Sequence, residues 1–86
     1  MDSTEANNTT VRLLVSNLSH DACTVALEPL GGVVTVPKGE LVRVEISGPG
    51  DGIVEISYAP NGLIVGEWSG ASTQVLDQQG EVIKPA

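Results

Sequence analysis

The sequence predicts an all-β domain: an antiparallel β-sandwich of seven to eight short strands, immunoglobulin-like or cupredoxin-like, with a small closed β-barrel as the alternative. Aliphatic and polar side chains alternate along most of the chain, which is the period of a strand with one buried face. Turn residues recur about every eight to twelve positions, the spacing typical of sandwiches and barrels. No window of about a dozen residues has helical spacing without a Gly or Pro inside it.

The first elements follow from this alternation. Residues 1–8 are polar and lack a hydrophobic period, so we expect a flexible tail ahead of a single domain at 9–84. Apolar residues recur at every second position in 11–15, which predicts the first strand. Side chains in 17–21 favour a turn because Asn, Ser and Asp bond their own backbone. A second strand is predicted at 23–28.

The middle of the chain repeats this pattern. Gly31-Gly32 permits a tight return into a strand at 33–36. In 41–47 the alternation predicts one core face and one solvent face. The loop 48–52 contains three glycines and a proline, so we expect it to pair 41–47 with 53–58 as a hairpin.

The last third completes the set of strands. Pro60-Asn61-Gly62 predicts another reversal, with Gly62 as a left-handed residue in a bulge. Strands are then expected at 63–68, 73–77 and 82–83. The residues expected to form the core are Val11, Leu13, Val15, Val25, Leu27, Val36, Val42, Val44, Ile46, Val54, Ile56 and Ile64.

Composition excludes several classes of partner. Eleven acidic residues face four basic ones, giving a net charge of −7, and this opposes binding to nucleic acid or to an anionic membrane surface. Because the acidic side chains are scattered along the chain, they favour a solvated surface. A docking patch for a basic partner is the minority interpretation. The start of the chain lacks a signal-peptide pattern, no apolar stretch could span a bilayer, and Cys23 has no second cysteine to pair with. A small, soluble, cytoplasmic protein is therefore expected.

The sequence contains few residues that are suited to catalysis or metal binding. His20 and Cys23 are the single histidine and cysteine, too few for a metal centre. Ser19-His20-Asp21 has the residue types of a catalytic relay, but neighbours in a turn rarely point at one another. Glu45 and Glu55 could face each other across the predicted hairpin, where solvated like charges are the expected outcome. We therefore predict no catalytic residue, no metal, no cofactor and no enzymatic activity.

Tyr58, Glu67 and Trp68 form the candidate interaction surface. Tyr and Trp are enriched at binding hot spots, and the turn at Pro60 should place the strands carrying Tyr58 and Trp68 side by side. The alternative is that both rings lie in the core or at its rim, because each continues the apolar face of its strand.

Four turn motifs carry a resemblance to a known family. They are Glu28-Pro29-Leu30-Gly31-Gly32, Pro37-Lys38-Gly39, Gly48-Pro49-Gly50 and Gly66-Glu67-Trp68-Ser69-Gly70. Their order over about residues 27 to 70 resembles a family of short bacterial proteins of unknown function, with Leu30 where that pattern has Trp and Ser69 where it has Pro. The resemblance implies an uncharacterised β-sandwich and assigns no activity.

Three functions are consistent with these residues. A non-catalytic protein-interaction module, or a homo-oligomer, comes first, because strands such as 11–15 and 63–65 carry aliphatic residues on both faces. A small-ligand-binding protein with Trp68 in its pocket comes second. An enzyme whose polar groups converge only in the folded chain comes third.

Overall fold

The computed structural model describes residues 8–86, and these form an all-β structure of two four-stranded sheets without a closed barrel. None of the described residues lies in a helix, so none provides a helix that could cross a membrane. The eight strands are β1 (Asn8–Ser16), β2 (Cys23–Glu28), β3 (Gly32–Val36), β4 (Leu41–Pro49), β5 (Glu55–Ala59), β6 (Gly62–Gly66), β7 (Ser72–Leu76) and β8 (Val82–Ile83).

The first sheet has the order β1-β4-β7-β8 and is antiparallel throughout. Its register places Leu13 opposite Val44 and Val44 opposite Val75, so one row of core-facing side chains crosses three strands. The alternation predicted for β4 is confirmed: Val42, Val44 and Ile46 are buried. This strand supplies the centre of the sheet.

The second sheet has the order β3-β2-β6-β5 and is mixed, because β2 and β6 run parallel. A purely antiparallel arrangement was expected, and this pair corrects it. Gly62 is essential to the parallel pairing, since a Cβ on it would collide with the backbone of Thr24. Gly62 does not have the positive φ that was predicted for it. Close approach of two strands therefore explains this glycine.

One hydrophobic cluster draws on both sheets. Its buried members among the described residues are Val25, Leu27, Val34, Val36, Val42, Val44, Ile46, Val65 and Val75. Six of these were predicted from the sequence. The predicted core residues Val11, Leu13, Val15, Val54 and Ile64 are half-buried. Ile56 is 47% exposed, so its assignment to the core is wrong.

The predicted hairpin between β4 and β5 does not form. β4 pairs with β1 and β7, whereas β5 pairs with β6 in the other sheet. Residues 50–54 therefore cross from one sheet to the other. Gly50 and Gly52 have φ of 94° and 74°, and Gly52 lies against the side chain of Thr9. Glu45 and Glu55 consequently belong to different sheets.

The C-terminal residues join one edge of each sheet. Ala86 exchanges two backbone hydrogen bonds with Val33 of β3, at 2.9 and 3.1 Å, only three residues after Ile83 of β8. The edges formed by β8 and β3 are therefore held together. This leaves β1 and β5 as the two edges on the other side of the molecule. The tail expected at 1–8 lies outside the described residues except for Asn8, which pairs with Pro49 in β1, and backbone pairing continues beyond residue 84 to Ala86.

Candidate functional site

A groove opens on the side of the molecule where β1 and β5 form the free edges of the two sheets. It has a volume of about 580 Å³ and lies between residues 15–23 and the β5–β6 hairpin at 58–63. We call it the side groove. The crossing segment 50–54 packs against Thr9 and Val11, so it covers the other end of this side. The side groove is the part that remains open.

Core-facing side chains form the floor of the side groove. Val15 lies opposite the buried Val42, and Cys23 lies opposite the buried Val36, so both point toward the core. Leu63 shares the face of Val65 on β6 because the two are separated by one residue. All three line the groove and are only half-buried. The groove therefore exposes apolar surface that belongs to the inner side of the two sheets.

Tyr58 forms the outer wall of the side groove. It lies opposite Leu63 on the core-facing side of β5, yet it is 90% exposed. Ile56, two residues away, lies opposite the buried Val65 and is also exposed. The alternation on β5 therefore predicts the correct face of the strand. These side chains stay uncovered because β5 is an edge strand, paired on one side only, with β6, among the described strands.

Asn17 holds the near wall of the groove in place. Its side chain is 3% exposed, and its Nδ2 donates to the carbonyl oxygens of Asp21 (2.8 Å) and Val36 (3.0 Å). Its Oδ1 accepts from the backbone N–H of Ser19 at 2.9 Å. Backbone bonds to Glu40 and Gly39 complete the arrangement. This one side chain thus ties the 17–21 turn to β3.

Two exposed residues of the 17–21 turn set the character of the rim. Leu18 is 92% exposed although it is apolar, and it stands beside the groove. Asp21 is the charged residue among those that line the groove. An apolar floor with a single acidic group at its rim suits a partner that is apolar and carries positive charge.

The structure separates the residues predicted to share an interaction surface. Tyr58 lies opposite Leu63 at the start of β6, whereas Glu67 and Trp68 follow its end. Five residues of extended chain separate Leu63 from Trp68, which is about 16 Å. Tyr58 belongs to the side groove, and Trp68 does not.

Glu67 and Trp68 connect the second sheet to the first. Trp68 is half-buried, packs against the core, and donates from Nε1 to the carbonyl oxygen of Pro49 at 2.5 Å. Glu67 accepts a hydrogen bond from the hydroxyl of Thr73 on β7. Trp68 lines a shallow cavity of about 350 Å³ with residues 49–53. These contacts give both side chains structural roles.

The polar residues of the turn do not assemble a catalytic relay. The Ser19 hydroxyl lies 2.6 Å from Asn17 Oδ1 and 2.8 Å from the carbonyl oxygen of Asp21, and His20 is exposed. Ser19 therefore stabilises the turn and is not oriented by an imidazole. In the part of the chain that the structure describes, no three His, Cys, Asp or Glu side chains are grouped so that they could hold a metal ion.

A second apolar surface lies on the outer face of the first sheet. The register aligns Leu14, Arg43, Leu76 and Val82 in one row across all four strands. We call it the outer row. Leu14 and Val82 are each about two-thirds exposed. Arg12 and Glu45 pair beside it at 3.6 Å on a solvated surface. The outer row is flat, unlike the side groove.

Tyr58 was a candidate from the sequence, whereas the groove around it was not predicted. The signals were present in Leu18, an apolar residue within a polar turn, and in Val15 and Cys23, each the end of an alternating run. What could not be seen is that β1 and β5, far apart in sequence, form neighbouring edges. Comparisons with protein-family models, with curated proteins and with solved structures find no match to this chain.

Proposed function

We propose that this chain is a non-catalytic protein-interaction module, a β-sandwich of immunoglobulin-like or cupredoxin-like type, whose docking surface is the side groove. The observation that carries the proposal is the exposure of Tyr58 on the core-facing side of an edge strand. An aromatic ring in that position is normally covered by the opposite sheet. Here, among the described residues, nothing covers it, and the floor beneath it is apolar.

The composition of the groove supports a polypeptide occupant. Tyr supplies a large contact area with little conformational entropy to lose, which is why it is enriched at hot spots. Val15, Cys23 and Leu63 offer an apolar floor, and the backbone of the adjacent turn offers polar groups at the rim. Asn17 fixes one wall through four polar contacts, so the groove is preformed. Preformed surfaces lose less free energy on binding.

Affinity capture with matched variants tests the proposal. The full chain is immobilised, and proteins retained from an extract of its source cells are compared with those retained by Tyr58→Asp and Leu30→Asp. Both variants add one negative charge at an exposed apolar side chain, and Leu30 lies in the β2–β3 turn outside the groove. We expect specific partners to be retained by the parent and by Leu30→Asp but lost with Tyr58→Asp. Equal retention by all three chains would contradict the groove as the docking surface.

A folding control accompanies this experiment. Because Tyr58 is exposed, Tyr58→Asp should melt within a few degrees of the parent, as surface substitutions usually change stability by about 0.5 kcal/mol or less. Loss of binding in a variant that is still folded then reports on the surface itself.

Self-association is a second candidate function, favoured by the outer row. Three aliphatic side chains and Arg43, in a row across an exposed sheet face, form a surface that a second copy could cover symmetrically. Sedimentation of the parent and of Leu14→Asp tests this candidate. A dimer that Leu14→Asp dissociates would support it, and a monomer at high concentration would exclude it. Capture of partners through Tyr58 does not depend on this result.

A small apolar ligand is the alternative occupant of the side groove, since its volume lies within the ~300–1,000 Å³ typical of ligand sites. Such a ligand would bind with no protein partner present. Binding of a small apolar ligand to the purified chain therefore distinguishes this alternative from a protein occupant.

A further inference from the structure

We infer that the occupant of the side groove is an extended segment of a partner protein that adds to the free edge of β5 as a further strand, with apolar side chains facing Ile56 and Tyr58 and a lysine or arginine facing Glu55. This inference rests on the proposed docking function and specifies its mode and the chemistry of the partner. The added contacts are backbone hydrogen bonds between the partner segment and β5.

The edge of β5 is open to pairing. Within the described residues β5 pairs only with β6, in a continuous five-residue register without a bulge. An edge strand presents unpaired N–H and C=O groups, and natural proteins block such edges with Lys, Pro or bulges. Residues 55–59 contain no Lys and no Pro. Of these features the edge has neither Lys nor Pro nor a bulge, and Glu55 is its one charged side chain.

The side chains of β5 define what an added strand must carry. Ile56 and Tyr58 lie on the core-facing side, so the residues opposite them would be apolar and would extend over the side groove. Glu55 and Ser57 lie on the other side and are exposed. Opposite charges facing one another across a strand pair are favourable, whereas like charges are unfavourable. A lysine or arginine is therefore expected opposite Glu55.

Charge complementarity selects the partner. Asp21 lies at the groove and Glu55 at the far end of β5, and no base lines the groove. The chain as a whole carries a net charge of −7. A segment with alternating apolar residues between basic ends satisfies both acids. The other possible edge, β1, carries Arg12 and is partly covered by residues 50–52, so it fits such a segment less well.

A second copy of this chain fits the edge poorly. Antiparallel pairing of two β5 strands that brings Ile56 opposite Tyr58 also places Ala59 opposite Glu55. Neither acid then meets a base, and both copies carry the same excess of negative charge. A partner protein with a basic, alternating segment is favoured on these grounds.

Fluorescence anisotropy with a synthetic strand tests the inference. The probe is a fluorescein-labelled, amidated peptide of sequence Lys-Thr-Val-Thr-Val-Lys, titrated with the full chain. Two further peptides carry N-methyl groups on both valines or on both threonines. Only alternate N–H groups of an added strand point at its neighbour. We expect one of the two methylated peptides to lose binding and the other to retain it.

Charge exchange tests the register. Glu55→Lys should weaken binding of the lysine peptide about three- to tenfold, in keeping with the size of cross-strand charge effects. A peptide with Glu in place of both Lys should then bind Glu55→Lys better than it binds the parent. Glu81→Lys is the matched control because it makes the same change in net charge at an exposed residue between β7 and β8, in the other sheet and outside the groove. Screening over about 8 Å at physiological salt should limit its effect to less than twofold.

The outcomes separate the inference from the function on which it rests. If both methylated peptides bind as well as the parent peptide, or if no peptide binds at about 1 mM while capture still depends on Tyr58, strand addition is wrong and the docking surface stands. If sedimentation shows a dimer that Tyr58→Asp dissociates, the occupant is a second copy and the inference is overturned. If capture does not depend on Tyr58, the proposed function itself fails.

Discussion

Replacing Asn17 with Asp is a sharp test of how the side groove is held, because the two side chains have the same shape and differ in one group. In the parent, Nδ2 donates to the carbonyl oxygens of Asp21 and Val36, and the side chain is buried. In the Asn17→Asp variant an oxygen replaces that nitrogen. Two carbonyl oxygens then face a carboxylate with no proton between them.

The size of the effect follows from these contacts. Loss of two hydrogen bonds costs about 1–3 kcal/mol, since each contributes about 0.5–1.5 kcal/mol. Burying a charge without a partner adds to this, so we expect the free energy of unfolding to fall by about 3–5 kcal/mol at pH 7. A chain of 86 residues has roughly 4–13 kcal/mol in total. The variant should therefore be close to unfolding.

The effect should depend on pH in a defined direction. Burial next to two carbonyl oxygens disfavours the charged form of the introduced carboxyl, so its pKa in the folded state is raised above the ordinary value of about 3.9. Protonation removes the charge and restores one donor. The stability difference from the parent is thus largest above the raised pKa and shrinks as pH falls toward about 4.

Urea unfolding followed by the fluorescence of Trp68 measures this difference, because Trp68 is the single tryptophan and packs against the core. Ser16→Asp is the control: it adds the same charge at an exposed neighbour and should change stability by about 0.5 kcal/mol or less. If Asn17→Asp matched Ser16→Asp at pH 7, the assigned role of Asn17 would be wrong.

Three further predictions concern other parts of the structure. Val44→Asp should leave the chain unfolded by circular dichroism, because a carboxylate at this fully buried centre of β4 costs several kcal/mol; a parent-like melt would refute the core assignment. Gly62→Ala should cost about 3 kcal/mol or more in urea unfolding, because its methyl group meets the backbone of Thr24, and a neutral result would argue against the parallel β2–β6 pair. Cys23 lines the side groove, so saturating amounts of the lysine peptide should slow its alkylation by iodoacetamide several-fold, and an unchanged rate would place the peptide elsewhere.

Strand positions could be predicted from the sequence because alternation and turn residues are local signals. All eight strands overlap the predicted segments, with ends that differ by up to three residues, and β4 has the predicted core face. The partners of the strands could not be predicted in this way. Residues 48–52 suit a hairpin and a crossing segment equally well, since glycine permits both. The contact of Gly52 with Thr9 joins residues far apart in sequence, which a local pattern does not reveal.

The side of the sheet on which a side chain lies could be predicted only where polar residues alternate with apolar ones. Leu63, Ile64 and Val65 are consecutive aliphatic residues, so a period of two does not say which of them points inward. Ile64 was predicted to be the buried member. Parallel pairing with β2 instead aligns Val65 with the buried Leu27.

The groove depends on which strands lie at the edges of the sheets, and a local sequence pattern does not contain that information. Ile56 and Tyr58 follow the correct alternation, yet their exposure depends on β5 being an edge that the other sheet does not cover. A residue can thus have a core-facing pattern and still be exposed. Tyr58 was a candidate from its residue type, whereas its separation from Trp68 follows from the register.

Mapping the lysine peptide onto the chain by amide chemical-shift changes is the most direct test of the side groove as a docking surface. We predict that the largest changes fall in residues 15–18 and 55–63, and that those of the outer row stay small. Changes centred on Leu14, Arg43 and Leu76, or spread evenly over both sheets, would contradict the side groove as the binding surface.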